Sequence, residues 1–217
     1  MALDFKRQTG IFNPDNFKEK VSLVGCGSVG SFTALALAKM GLNIIELFDS
    51  DSVEEHNLPN QFYKLKNLNT YKNEALSDLL IEFTGKTPQI FDNVVSNSLL
   101  QGDIIVSAVD SMEARKLIWE RVKETKPRLY IDTRMAGKIF SIFTVDMINP
   151  HAKYNYEKSL AKETEALQVP CTQRAIIFNV LGIASFVCNQ IVKYLNQHDF
   201  CSEVHFDYED LRCVKIR

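Results

Sequence analysis

The residues best suited to chemistry lie in one short run, Gly25-Cys26-Gly27-Ser28-Val29-Gly30, followed 24 residues after Gly25 by Asp49. The run follows a β-branched, apolar segment and opens a helical one, the context that a phosphate-binding loop requires. Gly25 permits a tight turn, and Gly27 lets a phosphate approach the backbone. Ser28 and Gly30 lie where the helix begins, and its N-terminus supplies N–H groups and partial positive charge. Asp49 closes the second strand, where a carboxylate can take ribose hydroxyls. Taken alone the pattern points to a dinucleotide such as NAD; the plain alternative is a glycine-rich turn without a ligand.

Three further residues stand out by position. Lys72 opens a helix, where a cation is unfavourable by about 0.3–1 kcal/mol, a cost with no evident structural return. Asp110, in Val109-Asp110-Ser111-Met112-Glu113, ends a strand. With Glu113 it reads as a capping box, which uses one carboxylate oxygen and leaves the other available. Cys171, in Pro170-Cys171-Thr172-Gln173-Arg174, precedes an apolar helix. A helix N-terminus and a neighbouring arginine both lower a thiol pKa and favour a nucleophile. The alternative is a buried structural cysteine. Cys26 is expected to pack beneath the loop, and Cys188 in the core or an interface.

The elements that must position these groups alternate. Strands are predicted at Val21–Val24, Ile44–Phe48, Ile90–Val95, Ile104–Val109 and Leu129–Asp132. Helices are predicted at Ser28–Met40, Lys72–Phe83 and Ser111–Glu124, the second with Leu76, Leu79, Leu80 and Phe83 on one stripe. This order implies an α/β fold: a Rossmann-like, mainly parallel sheet with helices on both faces. Lys138–Met147 alternates as an added antiparallel strand. Asn149–Val169 reads as a long polar connection. An apolar helix spans about Arg174 to Asn196, and Glu203–Ile216 forms a hairpin, completing an antiparallel C-terminal extension. The chain is expected to be one domain: residues 1–20 an arm, 21–137 the nucleotide-binding half, and 138–217 the crossover segment, long helix and hairpin.

Composition narrows the class. The 217 residues are 46% hydrophobic and 24% charged, which excludes a disordered chain. A net charge of -2 gives no footprint for nucleic acid. No apolar run reaches the roughly 18–20 residues of a membrane span, and no signal peptide is evident. The five cysteines form no Cys-x-x-Cys pair, and the four histidines are scattered. Neither a disulfide framework nor a zinc site is expected, and the location is read as cytoplasmic.

Past Asp49 the sequence runs Asp49-Ser50-Asp51-Ser52-Val53 and then Asn57-Leu58-Pro59-Asn60-Gln61. Here it resembles the ThiF/MoeB/HesA family, the adenylating relatives of ubiquitin-activating enzymes. That family has Asp-x-Asp-x-Val and Asn-Leu-x-Arg-Gln after its second strand. The resemblance also takes in Arg7-Gln8, the glycine loop, the lysine opening the next helix, the aspartate after the fourth strand and the cysteine before the long helix. It implies an adenylyltransferase using ATP and Mg²⁺, in which a carboxylate attacks the α-phosphate and expels pyrophosphate. By resemblance Asp51 and Asn57 belong to the nucleotide site, Lys72 contacts phosphates, and Asp110 holds Mg²⁺. Lys64, Lys66 and Lys86 are alternatives to Lys72. Arg7 would reach from one protomer into its partner's site, which makes a homodimer the expected assembly. Asn60 departs from the pattern by replacing the family's arginine, and Arg134 or Arg115 is expected to compensate if the activity is retained. Residues 149–169 fall where the family's crossover loop covers the partner protein's tail, with Tyr154 and Tyr156 available to pack on it.

The activity expected is therefore activation of the C-terminal carboxylate of a small ubiquitin-like or sulfur-carrier protein ending in a Gly-Gly-type tail. A thioester at Cys171 can follow. Two rivals remain: an NAD-dependent oxidoreductase, resting on the glycine loop and Asp49, and a non-catalytic partner-binding module, favoured by Asn60. The face of Ile176, Ile177, Val180, Leu181, Ala184, Val187 and Ile191 is expected to divide between core and dimer interface.

Overall fold

The computed structural model describes residues 3–92, 100–162 and 175–216. Its centre is an eight-stranded sheet in the order β3-β2-β1-β4-β5-β6-β7-β8. The strands are β1 (Lys20–Val24), β2 (Asn43–Phe48), β3 (Gln89–Phe91), β4 (Ile104–Ser107), β5 (Leu129–Ala136), β6 (Ile139–Asp146), β7 (Glu203–Asp207) and β8 (Arg212–Ile216). The first five pair in parallel, and the last three add antiparallel. The helices are α1 (Ser28–Lys39), α2 (Lys72–Thr84), α3 (Met112–Thr125), α4 (Pro150–Lys162) and α5 (Ile177–Leu195).

Both faces are covered because the inner strands are apolar on both sides; all four residues of β4 are buried. Leu37 of α1, Leu76 and Leu80 of α2, and Ile183 and Val187 of α5 fill one face with Val21 and Leu23 of β1. Trp119 of α3 and Tyr156 and Leu160 of α4 fill the other with Val24 and Tyr130. Chain direction also reverses at β1: from β1 the connections run outward to β2 and β3, and from β4 they run the other way to β5. The C-terminal ends of β1 and β4 therefore border a crevice that no crossover fills. The glycine loop leaves β1 there, and Asp110 follows β4.

Four local expectations change. The polar connection begins as a helix, α4, rather than a loop. Asn149 Oδ1 accepts from the N–H groups of His151 and Ala152, and Pro150 supplies a preset first turn. A narrow stripe of Ala152, Tyr156 and Leu160 at four-residue spacing faces the core. Tyr156 is consequently buried against Trp119 and Tyr130 rather than presented to a partner's tail, while Tyr154 is exposed. Helix α3 is capped by Ser111, whose hydroxyl accepts from the N–H of Ala114, so the Asp110–Glu113 capping box does not form. β4 stops at Ser107, and β5 continues past Asp132 because its antiparallel pairing with β6 extends it to Ala136. β3 ends at Phe91; positions 93–95 of the predicted strand lie outside the described residues.

Helix α5 divides as its pattern suggests. Val180, Ala184, Val187 and Ile191 are buried, whereas Ile176, Ile177 and Leu181 are exposed. By length and mean hydropathy α5 alone among the described helices could span a bilayer, although Asn179, Asn189, Gln190 and Lys193 interrupt its apolar run. In this fold its apolar side is spent on α1 and the sheet. The C-terminal hairpin forms with β7 and β8 in register across Asp207 and Arg212.

Candidate nucleotide site

The glycine loop is built so that only glycine fits at two of its positions. Gly25 has φ +93°, and a Cβ there would lie 2.5 Å from the carbonyl oxygen of Ala108. A Cβ on Gly30 would lie 1.8 Å from the carbonyl oxygen of Gly25. Around Gly27 the space is open, with nothing within 4 Å of a Cβ position. Gly27 is the N-cap of α1 and offers no capping side chain. The first N–H groups of α1 thus face the crevice without a side-chain acceptor, an arrangement that favours an anion.

Asp49 holds this loop from beneath. Its Oδ2 accepts from the Cys26 N–H at 2.6 Å and its Oδ1 from the Asp51 N–H at 2.8 Å. Burial pushes its carboxyl above the ordinary range, opposed by these two hydrogen bonds and by Lys72. A carboxylate has about four lone-pair sites, so the two bonds leave capacity for a hydroxyl.

Lys72 is the first residue of α2 and is only 7% exposed. Its ammonium lies 2.8 Å from Asp51 Oδ2, and its own N–H donates to the Asp51 carbonyl at 2.7 Å. The pair supplies the structural return that position alone does not reveal. Lys64 and Lys66 both pair with Glu82, and Lys86 reaches the carbonyl of Gly41. Among the four candidates, Lys72 alone acts electrostatically on Asp49 and Cys26.

The segment after Asp51 folds over the start of α1. Asn57 is buried, and its Oδ1 accepts from the Glu54 N–H at 3.0 Å, closing the turn that carries Asn60. Asn60 Oδ1 accepts from the Ser28 hydroxyl at 3.2 Å, and Ser31 Oγ accepts from the Phe62 N–H at 3.0 Å. Asn60 is thus beside the first turn of α1, as a neutral group. The arginines expected to compensate are engaged elsewhere. Arg115 Nε lies 3.2 Å and Arg134 Nε 2.7 Å from the two oxygens of Asp132, which is fully buried. Arg115 also donates to the carbonyls of Val109 and Thr133, and Arg134 to Ser159 of α4. Both are structural ties between β5 and its covering helices.

Asp110 is exposed and free of the capping duty. It follows Ala108, whose N–H donates to the Val24 carbonyl at 2.7 Å and whose backbone touches Gly25. A single uncapped carboxylate beside a phosphate-binding turn fits Mg²⁺, which takes one or two carboxylates together with phosphate oxygens and water. No group of three or more His, Cys, Asp or Glu is arranged to hold a metal among the described residues.

Contacts join the loop to Asp49, Asp51 and Lys72 on one side and Ser28 to Asn60 on the other, while Asn57 closes the turn that carries Asn60 and Asp110 lies three residues beyond the end of β4. Arg7 is not among them. The arm is fixed by Gln8, which donates to the Met40 carbonyl at 2.8 Å, and by Pro14 against Gly41. That is the far end of α1, a 12-residue helix about 18 Å long. Cys171 lies outside the described residues. Cys26 is fully buried, and burial raises its thiol well above the ordinary value, which suits packing rather than reaction. Burial also pushes Cys188 up to about 12. Position-by-position reading missed one residue: Tyr63, whose hydroxyl donates to the Cys26 carbonyl at 2.5 Å. Its only sequence signal is its place in the aromatic pair Phe62-Tyr63 that follows Asn60-Gln61.

Comparison with known proteins agrees with this geometry. The ThiF family model matches residues 15–211. A ubiquitin-like modifier-activating enzyme 5 from Caenorhabditis elegans is 34% identical over 131 residues, 52% of this chain and 31% of that protein. One from Bombyx mori is 32% identical over 136 residues, 54% of this chain and 34% of that protein. The chain thus spans about a third of the length of these curated relatives. Among solved structures, PaaA superposes with a TM-score of 0.74 at 18% identity, covering 99% of this chain and 74% of that one. Escherichia coli MccB in its complex with ATP gives 0.69 at 16% identity, covering 93% and 64%. The glycine loop, the Asp49–Asp51–Lys72 cluster and a family match over nearly the whole length lead to one conclusion: this chain belongs to the ThiF family.

Proposed function

We propose that the protein adenylates the C-terminal carboxylate of a small ubiquitin-like or sulfur-carrier protein, using ATP and Mg²⁺. The observation that supports this reading is the glycine loop with an uncapped helix N-terminus, tied through Asp49 to the Asp51–Lys72 pair; Asp110 is added on the family resemblance and its exposure after β4. The relatives named as activating ubiquitin-like modifiers, and the MccB complexes with ATP and with MccA, support the same assignment.

In this reading the α1 N-terminus and Gly27 N–H receive the phosphates. Lys72, which already neutralises Asp51, shifts toward the charge that builds on departing pyrophosphate. Asp49 and Asp51 hold the sugar side. Asp110 would hold Mg²⁺, which would supply positive charge to offset that of the phosphates. The reaction needs positioning and cations more than acid–base groups, and the site offers few of the latter. The carrier's carboxylate oxygen bonds to the α-phosphorus as the bond to pyrophosphate breaks, giving an acyl-adenylate.

Wild-type protein mixed with ATP, Mg²⁺ and a carrier ending in Gly-Gly is expected to release pyrophosphate. Asp110→Ala is expected to lower Mg²⁺-dependent ATP–pyrophosphate exchange by about a hundredfold. An alanine variant with full exchange would remove Asp110 from the metal site. A second step at Cys171 belongs to the same proposal. A thiol-sensitive conjugate with the carrier should form, and Cys171→Ser should abolish it while leaving exchange intact.

Arg7 belongs to the arm held at the far end of α1 from its own loop, and by the family resemblance it would serve a second copy in a homodimer. Exposed Ile177 and Leu181 offer apolar area for that contact. A second reading, a partner-binding module without catalysis, is favoured by the neutral Asn60. Carrier binding with no ATP consumption, unchanged in Asn60→Arg, would establish it.

A further inference from the structure

The turn between Asn57 and Lys72 does more than join β2 to α2. Tyr63 is buried in the layer formed by α1, α2 and α5. Its hydroxyl donates to the Cys26 carbonyl at 2.5 Å and lies 3.2 Å from the carbonyl of Lys72. A phenol has one proton, so the group is shared between the phosphate loop and the first residue of α2. Burial drives its pKa far upward, and it remains a neutral donor at any working pH.

The consequence falls on the next peptide. In a trans peptide unit the C=O and the following N–H point in opposite directions. Turning the Cys26 carbonyl inward onto Tyr63 turns the Gly27 N–H away from that buried layer. The Cys26 N–H is already taken by Asp49. An acceptor and a donor thus fix Cys26 from both sides, and Gly27 inherits its direction from them.

We infer that Tyr63 is a positioning residue for the nucleotide phosphates: it aims the Gly27 N–H and ties the loop to the backbone of Lys72. This rests on the ATP reading above and deepens it. Neither the glycine pattern nor the family's asparagine–glutamine motif assigns the role.

The test is a calorimetric titration of wild type, Tyr63→Phe and Tyr130→Phe with ATP and, separately, with adenosine. Tyr130 is the matched control, because its buried hydroxyl meets the hydroxyls of Tyr156, at 3.2 Å, and Ser107, on the opposite face of the sheet from Tyr63. Tyr63→Phe is expected to weaken ATP binding about tenfold and leave adenosine binding unchanged. Tyr130→Phe should alter neither. Equal ATP affinity in Tyr63→Phe overturns the inference, as does a parallel loss of adenosine or an equal loss in Tyr130→Phe. Wild-type protein that binds no ATP overturns the nucleotide reading itself, and the role of Tyr63 with it. A measurement on wild type alone covers a Tyr63→Phe that does not fold. The amide resonance of Gly27 must shift on adding ATP or tripolyphosphate; an unmoved resonance overturns the inference.

Discussion

Lys72→Met is expected to lower ATP–pyrophosphate exchange by about 10²–10³-fold, the range found when one preorganised group facing transition-state charge is removed. Methionine keeps the buried stem and deletes the ammonium, so the loss is one of charge. The folded protein should tolerate it. Asp51, the partner at 2.8 Å, has a side chain 69% exposed and is left to water rather than to the core. With the Asp51 carboxylate in water, the pair contributes on the order of 1 kcal/mol. Thermal denaturation should therefore show little change while exchange collapses. Full exchange in Lys72→Met would take Lys72 out of the phosphate site and reopen Lys64, Lys66 and Lys86, which the fold directs to Glu82 and Gly41.

The second large effect is on stability. Asp132→Leu is expected to destabilise the fold by about 3–5 kcal/mol, since removing one partner of a buried ion pair strands the other. Here two guanidinium groups depend on one carboxylate. Arg115 and Arg134 are 5% and 8% exposed, and Asp132 is fully buried. Against a typical total of about 5–15 kcal/mol the loss is a large fraction. Urea denaturation should show a lower midpoint. Adding Arg115→Met should recover part of the loss, because one unmatched charge is then removed. A midpoint unchanged in Asp132→Leu would mean that the carbonyls of Val109 and Thr133 and the Ser159 hydroxyl hold the arginines unaided.

These two substitutions also separate what could be read along the chain from what could not. Lys72 stood out because its type conflicts with its place at a helix start, and the structure resolves that conflict through the ion pair with Asp51. The glycine loop was legible because only glycine accepts the geometry of Gly25 and Gly30, so the sequence must carry them. Arg115 and Arg134 were not. As cations near strand ends they suited a phosphate, and nothing local shows that Asp132 lies between them, because that meeting joins β5 to α3. The α4 helix was hidden in the same way: its apolar stripe is three residues wide, and its charges outnumber them. Only the aromatic layer of Trp119 and Tyr130 gives Tyr156 a reason to turn inward.

The sequence by itself determined the alternating α/β order, the glycine loop and the family, because these depend on short-range rules: periodicity, turn stereochemistry and fixed motif spacing. The tertiary structure decided which charges are spent and which remain for a ligand. It gave Arg115 and Arg134 to Asp132, relieved Asp110 of capping by supplying Ser111, held Arg7 at the far end of α1, and brought Tyr63 beneath Cys26. A hydrogen bond or ion pair is satisfied by whatever lies within about 3 Å, and that distance is set by packing between elements far apart in the chain.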